Sequence, residues 1–385
     1  MRRISGNEQG SALLLALCLM GMLTLAALLA VNNSNTDMEM SFNQINGEKA
    51  FYLAEAGAKR AVAELQNDPT WTAGFINVSL ANGTYSVAVV DSSMDSTLAD
   101  SVVVTSTADA DGAQATIEIT LAPRDLKPFQ YAMFADDDVD IRNSMNSDSY
   151  NSDSGSYFLT RLNTDGDVGS NGSITVANGA FVGGDIATSL DGGLSVNPGA
   201  TVTGDTSSTA PSQDVPPVPA SEFAWAEANN DNLTGISGTY TYDPSTHAFE
   251  STGNVVLSSG VYFFSDVLLK NSANLTLAPG AEVTIYVDGN VDLRNSASMN
   301  VGGVPADLMI YSTGDFVLKN SGDIAAVFYS PDGIGDLRNS GEFFGSIVTN
   351  DIIVHNSAKF HYDRMLADIS MGKSSDVYVV GWQEL

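Results

Sequence analysis

The chain runs to 385 residues, enough for two or three folded units with cores of their own. Its 46 acidic against 16 basic residues leave a formal charge of −30, which repels phosphate backbones and excludes nucleic acid as a partner. The single cysteine, Cys18, excludes an intramolecular disulfide, so the fold rests on packing.

Taken from the N-terminus, residues 11–31 contain no charge and no proline. As a helix rising about 1.5 Å per residue they extend roughly 31 Å, the thickness of a bilayer core. Arg2 and Arg3 precede this run, which places the N-terminus in the cytoplasm and the bulk of the chain outside. The run ends in Asn32 and Asn33 with no small-residue cleavage site of the kind that closes a secretory signal. From residue 37 to 65 proline is again absent, and Phe42, Ile45, Ala50, Phe51, Leu53, Ala54, Ala58, Ala61, Val62 and Leu65 recur at mainly helical spacing. The apolar helix is therefore predicted to continue as an amphipathic one.

Two segments carry a resemblance. Glu8-Gln9-Gly10-Ser11-Ala12-Leu13-Leu14 resembles the leader and cleavage site of type IV prepilins, and Ala50-Phe51-Tyr52-Leu53-Ala54-Glu55-Ala56-Gly57 resembles the segment typical of PilX-type minor pilins. The resemblance implies cleavage by prepilin peptidase between Gly10 and Ser11, methylation of the new amino group, and packing of the long helix into a filament core. The partners it implies are other pilins and minor pilins, the inner-membrane assembly machinery and the peptidase itself. Leu15 departs from the pattern, because major pilins carry a glutamate there that pairs with the terminal amine of a neighbouring subunit. Leaving such an amine unpaired in an apolar core is costly, so Leu15 points to a tip or priming role rather than a shaft. The plainer alternative is a single-pass anchor with no assembly role.

After the helix, residues 85–91, 101–106 and 113–121 alternate apolar and polar side chains between Asp/Ser/Gly turns, predicting a small antiparallel sheet over 67–126. Repeats follow, of two kinds. Residues 175–185 match 195–205 at an offset of 20, about one coil of a parallel β-helix. The second repeat is an apolar residue, a basic residue, then Asn-Ser, at Ile141-Arg142-Asn143-Ser144, Leu269-Lys270-Asn271-Ser272, Leu293-Arg294-Asn295-Ser296, Leu318-Lys319-Asn320-Ser321, Leu337-Arg338-Asn339-Ser340 and Val354-His355-Asn356-Ser357.

Strand alternation puts Val291, Leu293 and Asn295 on one face and Asp292 with Arg294 on the other. The apolar face is the coil interior, so Asn271, Asn295, Asn320, Asn339 and Asn356 are read as an inward corner ladder, each amide bonding its counterpart in the next coil. The outward Arg and Lys are set against Asp140, Asp292 and Asp336 two residues earlier. The same row read as a ligand stripe would take an acidic surface glycan. Residues 206–220, with four prolines, break the repeat, and 221–230 read as a short helix.

From Gly238-Thr239-Tyr240 onward the chain resembles the β-helical C-terminal domain that accompanies PilX-type N-termini, in Ile285-Tyr286-Val287-Asp288-Gly289-Asn290-Val291, Phe344-Gly345-Ser346-Ile347-Val348 and Lys359-Phe360-His361-Tyr362-Asp363. The three histidines, His247, His355 and His361, have no second histidine or cysteine at ligand spacing, which argues against zinc. Asn163, Asp165 and Asp167, like Asn151 and Asp153, resemble the alternating oxygen ligands of calcium loops but lack the acidic residue an EF-hand needs. No cofactor is expected, with calcium the one metal for which the pattern leaves an opening. Asp136, Asp137, Asp138 and Asp140 supply the carboxylates a glycoside-cleaving β-helix would need, and read more simply as a solvated loop.

The expected fold is mainly β: a leader over 1–10, a long pilin-like helix over 11–66, a small β unit over 67–126 and a β-helix head over 127–385 interrupted at 206–220. The expected protein is non-enzymatic, a minor pilin-like component that primes, caps or decorates a type IV pilus-like filament, with surface adhesion as a further role. It would sit in the inner membrane before assembly and on the pilus or cell surface afterwards. The alternatives are a membrane-anchored polysaccharide-active β-helix enzyme and a self-polymerising scaffold resembling bactofilins.

Overall fold

A computed structural model describes residues 8–98, 100–190, 192–320, 322–338, 341–355 and 357–385. The chain forms two units, Met1–Arg124 with Lys373–Leu385, and Asp125–Gly372.

The first unit is built on helix α1, Glu8–Asn67. Leu, Ala and Met dominate its first half and proline is absent throughout, so propensity favours helix along the whole length. It stops where Asp68 precedes Pro69, whose ring disfavours helical backbone at the residue before it; the Asp68 carboxylate then accepts from the Thr70 N–H at 3.0 Å. Ala50, Leu53, Ala54, Ala58, Ala61 and Leu65 form one buried stripe and pack on Tyr85, Val87, Val104, Ile117 and Leu121.

These last residues come from an antiparallel sheet, β1 (Phe75–Leu80), β2 (Gly83–Val90), β3 (Val102–Ala110) and β4 (Ala113–Asp125). The β3–β4 hairpin turns on Asp111 and Gly112, both at positive φ, the two-residue geometry that matches strand twist. A closing strand, Lys373–Glu384, lies beside β4. This corrects the sequence boundary of 385 for the head: the segment lacks the Asn-Ser corner, Val377 is buried in the first unit's core and Trp382 lies edge-on to Phe51, ring centroids 6.2 Å apart.

The second unit is a β-solenoid of about nine turns. Its interior is exemplified by one column of aliphatic side chains in parallel register, Leu269, Leu293, Leu318, Leu337, Val354, Ile141 and Val176, all buried. Each contributes roughly 1.5–3 kcal/mol of burial, which is why the apolar position recurs in every copy.

The order of this column departs from chain order. Coils stack from 248–269 forward to 342–363, and the next rung is then the unit's first coil, with Ile347 against Met133, Ile352 against Val139 and Lys359 against Asn146. From there coils continue through Val168–Ser170 and Ile186–Ser189 to Thr206–Ala210. The chain thus enters mid-stack, coils to one end, runs back outside and coils in from the other end. Leu126 and Gly372, the entry and exit, meet through a hydrogen bond of 3.0 Å.

The proline-rich break is that outside run. Asn171 holds it by exchanging amide hydrogen bonds with the Gln213 backbone at 2.7 and 2.8 Å, and Tyr329 donates to the Pro216 carbonyl at 2.5 Å. Helix α2 (Tyr157–Thr160) lies in the loop after the first coil, and helix α3 (Ala220–Asn229) buries Phe223 and Ala226 against Phe263 and Tyr286. The strand Ile236–Gly238 then pairs antiparallel with Asn254–Leu257 and covers an otherwise open edge.

A ladder holds the corner before the aliphatic column. Asp266 Oδ1 accepts the Asn290 N–H at 3.0 Å, Asn290 Oδ1 the Asp315 N–H at 2.8 Å, and Asp315 Oδ1 the Ile334 N–H at 3.0 Å. It resumes with Asp351 accepting from Asp138, Asp138 from Ser173 and Ser173 from Gly193. A second ladder runs from Asp167 through Asp185 to Asp205, each carboxylate accepting the next amide at 2.6 and 2.7 Å. Part of the acidic excess is therefore structural, since these carboxylates occupy backbone donors at the turns.

Candidate functional site

Three surfaces concentrate the chemistry. The first is α1 ahead of its sheet-packed half. Every large apolar side chain from Leu13 to Val31 is between 52 and 73% exposed, Leu15 among them at 65%. Long and apolar enough to span a membrane, this segment has nothing within its own unit to cover it. Gly10 and Ser11 lie on the helical backbone; their side chains, and the leader residues 1–7, are outside the described residues.

The second surface is the Asn-Ser corner with its basic row. Asn143, Asn271 and Asn295 all hold left-handed backbone, at φ 71, 61 and 65°. Asn295 Nδ2 donates to Asn271 Oδ1 at 3.3 Å, but both side chains are exposed, which corrects the inward placement. The left-handed residue ends the strand alternation, so its Cβ no longer follows Leu293 into the core. The side chain of Asn320, and Asn339 and Asn356 altogether, lie outside the described residues.

One residue earlier, Arg294, Lys319 and Arg338 are in register, and Lys270, His355 and Arg142 follow the column members of their own coils. The residue two before each basic one alternates in kind down the stack: Leu268, Asp292, Val317, Asp336, Ile353, Asp140. Each Asp pairs with the Arg of its own strand, at 2.6 Å for Arg142, 2.7 Å for Arg294 and 2.9 Å for Arg338. Lys270 pairs with Glu250 at 2.5 Å and His355 lies 3.4 Å from Asp336. Hydrogen bonding to Asp292, then its charge, holds the Arg294 guanidinium above its ordinary pKa. Exposed pairs of this kind add about 0–1 kcal/mol each, so the Asp residues chiefly relieve repulsion along the row.

The third surface is a cavity of about 430 Å³ on the solenoid flank. Its floor is Tyr150, Ala325 and Phe344; the loop after the first coil walls one side with Ser152, Ser156, Tyr157 and Phe158, and Gly302, Gly303 and Val304 form the other. Behind it Asp148, fully buried, accepts from the Tyr157 hydroxyl at 2.9 Å and pairs with Arg161 Nε at 2.8 Å, while His361 Nδ1 lies 2.6 Å from its other oxygen. The His361 ring sits between Tyr157 and Phe344, at centroid distances of 4.3 and 4.5 Å. Its Nε2 is buried without a hydrogen bond, 3.7 Å from Glu342 Oε2. Burial, then the hydrogen bond and charge of Asp148, pushes the Tyr157 hydroxyl well above its ordinary pKa, so it stays a donor.

Sequence patterns pointed to none of this cavity. His361 and Asp148 are 213 residues apart and meet because Lys359–Asp363 stacks on Asn146–Tyr150 at the mid-stack seam. Of the residues with calcium-like spacing, Asp167 serves the second ladder, with burial pushing its pKa up to about 6. Among the described residues no group of three or more His, Cys, Asp or Glu side chains is placed to hold a metal.

A family model described as a domain of unknown function, DUF7305, matches residues 199–369. No curated protein sequence matches. Among solved structures the chain is similar to the competence-associated pilin ComZ from Thermus thermophilus, at 13% identity and a TM-score of 0.24 over 88% of this chain and 97% of that one. It is also similar to an ice binding protein from an Antarctic Biological Consortium, at 14% identity and a TM-score of 0.34 over 60% and 87%. Likenesses this distant do not speak to function.

Proposed function

We propose that the chain is a non-enzymatic pilin-like component that primes, caps or decorates a type IV pilus-like filament. The observation that carries this reading is α1: one stripe near its end, from Ala50 to Leu65, is buried against a sheet, while its first half, from Leu13 to Val31, exposes a continuous apolar surface. An apolar surface of that extent needs lipid or other helices to cover it, and a pilin uses lipid before assembly and neighbouring helices after it. The prepilin-like junction at Gly10 and Ser11 supplies the processing step, and Leu15, without the carboxylate of a shaft subunit, suits a terminal position. On this reading the protein waits as a single-pass inner-membrane protein and acts at the filament or cell surface.

The test is to express the tagged full chain with a type IV assembly system and to label sheared filaments with gold against the tag. The expected result is sparse label at filament ends. Uniform label along shafts would overturn the terminal role, and label absent from filaments but retained in membranes would leave only an anchor.

A further inference from the structure

The flank cavity lies within the second unit and stands independently of the pilin reading. Its lining joins two kinds of surface: aromatic rings, with Phe158 exposed, Tyr157 and Phe344 partly exposed and Tyr150 buried beneath them, and polar or bare backbone from Ser152, Ser156, Gly155, Gly302 and Gly303. Its volume falls within the roughly 300–1,000 Å³ of small-molecule sites. The ligand that presents both surfaces at once is a pyranose, whose C–H face lies on an aromatic ring while its equatorial hydroxyls reach hydroxyl and backbone groups.

Charge narrows the class. Asp148 and Glu342, near the Tyr157 and Phe344 rings, already engage the basic side chains beside them, Arg161 and Lys359, and the formal charge of the chain is −30. An anionic sugar is disfavoured there and a neutral one is not. The wall is also built to hold position. Tyr157 belongs to a loop, yet its hydroxyl is tied to the buried Asp148, Arg161 of the same loop pairs with the same carboxylate, and His361 packs against its ring. Such fixing lowers the ordering cost of binding.

We infer that this cavity is a binding site for a neutral pyranose, seated on the Phe344 ring with Tyr157 as a fixed wall.

Saturation-transfer NMR on the full chain in lipid nanodiscs, with cellobiose, lactose and N,N′-diacetylchitobiose as probes, tests it. The expected result is transfer to ring C–H protons of at least one disaccharide, saturable with a Kd of order 1 mM or tighter. Phe344→Ala is expected to weaken that binding about tenfold or more, as removal of an aromatic anchor does. Ser156→Trp, at an exposed rim position whose side chain makes no capping hydrogen bond, is expected to abolish it. No transfer from any of the three probes, or transfer unchanged by Ser156→Trp, overturns the assignment.

Discussion

Asp167 shows how the acidic excess is used at a single residue. Its Oδ1 accepts the Asp185 N–H at 2.6 Å, and burial pushes its pKa up to about 6, against about 3.9 for an aspartate in an unfolded chain. Between these values the folded state binds more protons, so the group favours folding at low pH, and that advantage is lost as pH rises through about 6. Asp167→Asn keeps an oxygen for the Asp185 amide and removes the buried charge. The variant is expected to melt above the parent chain near pH 7.5 and together with it near pH 4, by circular dichroism of the detergent-solubilised protein; a lower melting point near pH 7.5 would show that the carboxylate itself is needed.

At the scale of elements, the small-residue segment of α1 acquires a reason. A Cβ at Gly57 would lie 2.6 Å from both Ser106 Oγ and Tyr85 Cδ2, and Ala54, Ala58 and Ala61 around it are fully buried. The sheet approaches the helix more closely than larger side chains allow. Gly57→Val is expected to cost about 1–3 kcal/mol by overpacking, read as a lower urea midpoint with an unchanged slope. A midpoint equal to the parent's would mean that the helix and sheet are not held as described.

That segment was legible in the sequence because helical periodicity is local, as was the coil repeat, whose apolar position every copy preserves. The Asn corner was read as facing inward, but Asn271 and Asn295 are exposed, because strand alternation was carried onto residues whose backbone is left-handed. The Asp266–Asn290–Asp315 ladder was in plain sight three residues before the apolar position of each repeat, Leu269, Leu293 and Leu318, yet that position was not included in the motif. The cavity was not legible at all, since Asp148 and Tyr150 meet His361 and Phe344 only across the mid-stack seam, a long-range pairing that no local pattern encodes.

For the whole molecule, the two folded units carry different chemistry. One carries a helix whose apolar half is uncovered; the other is an acidic solenoid whose carboxylates are spent on corner amides and on relieving a basic row. The pilin-like reading stands on the first, and it turns on whether the chain is processed as a prepilin. The decisive measurement is the intact mass and N-terminal sequence of the full-length protein extracted from membranes of cells with and without prepilin peptidase. The account predicts a chain beginning at methylated Ser11 only where the peptidase is present; an intact Met1 in both, or a cut beyond Val31, would contradict it.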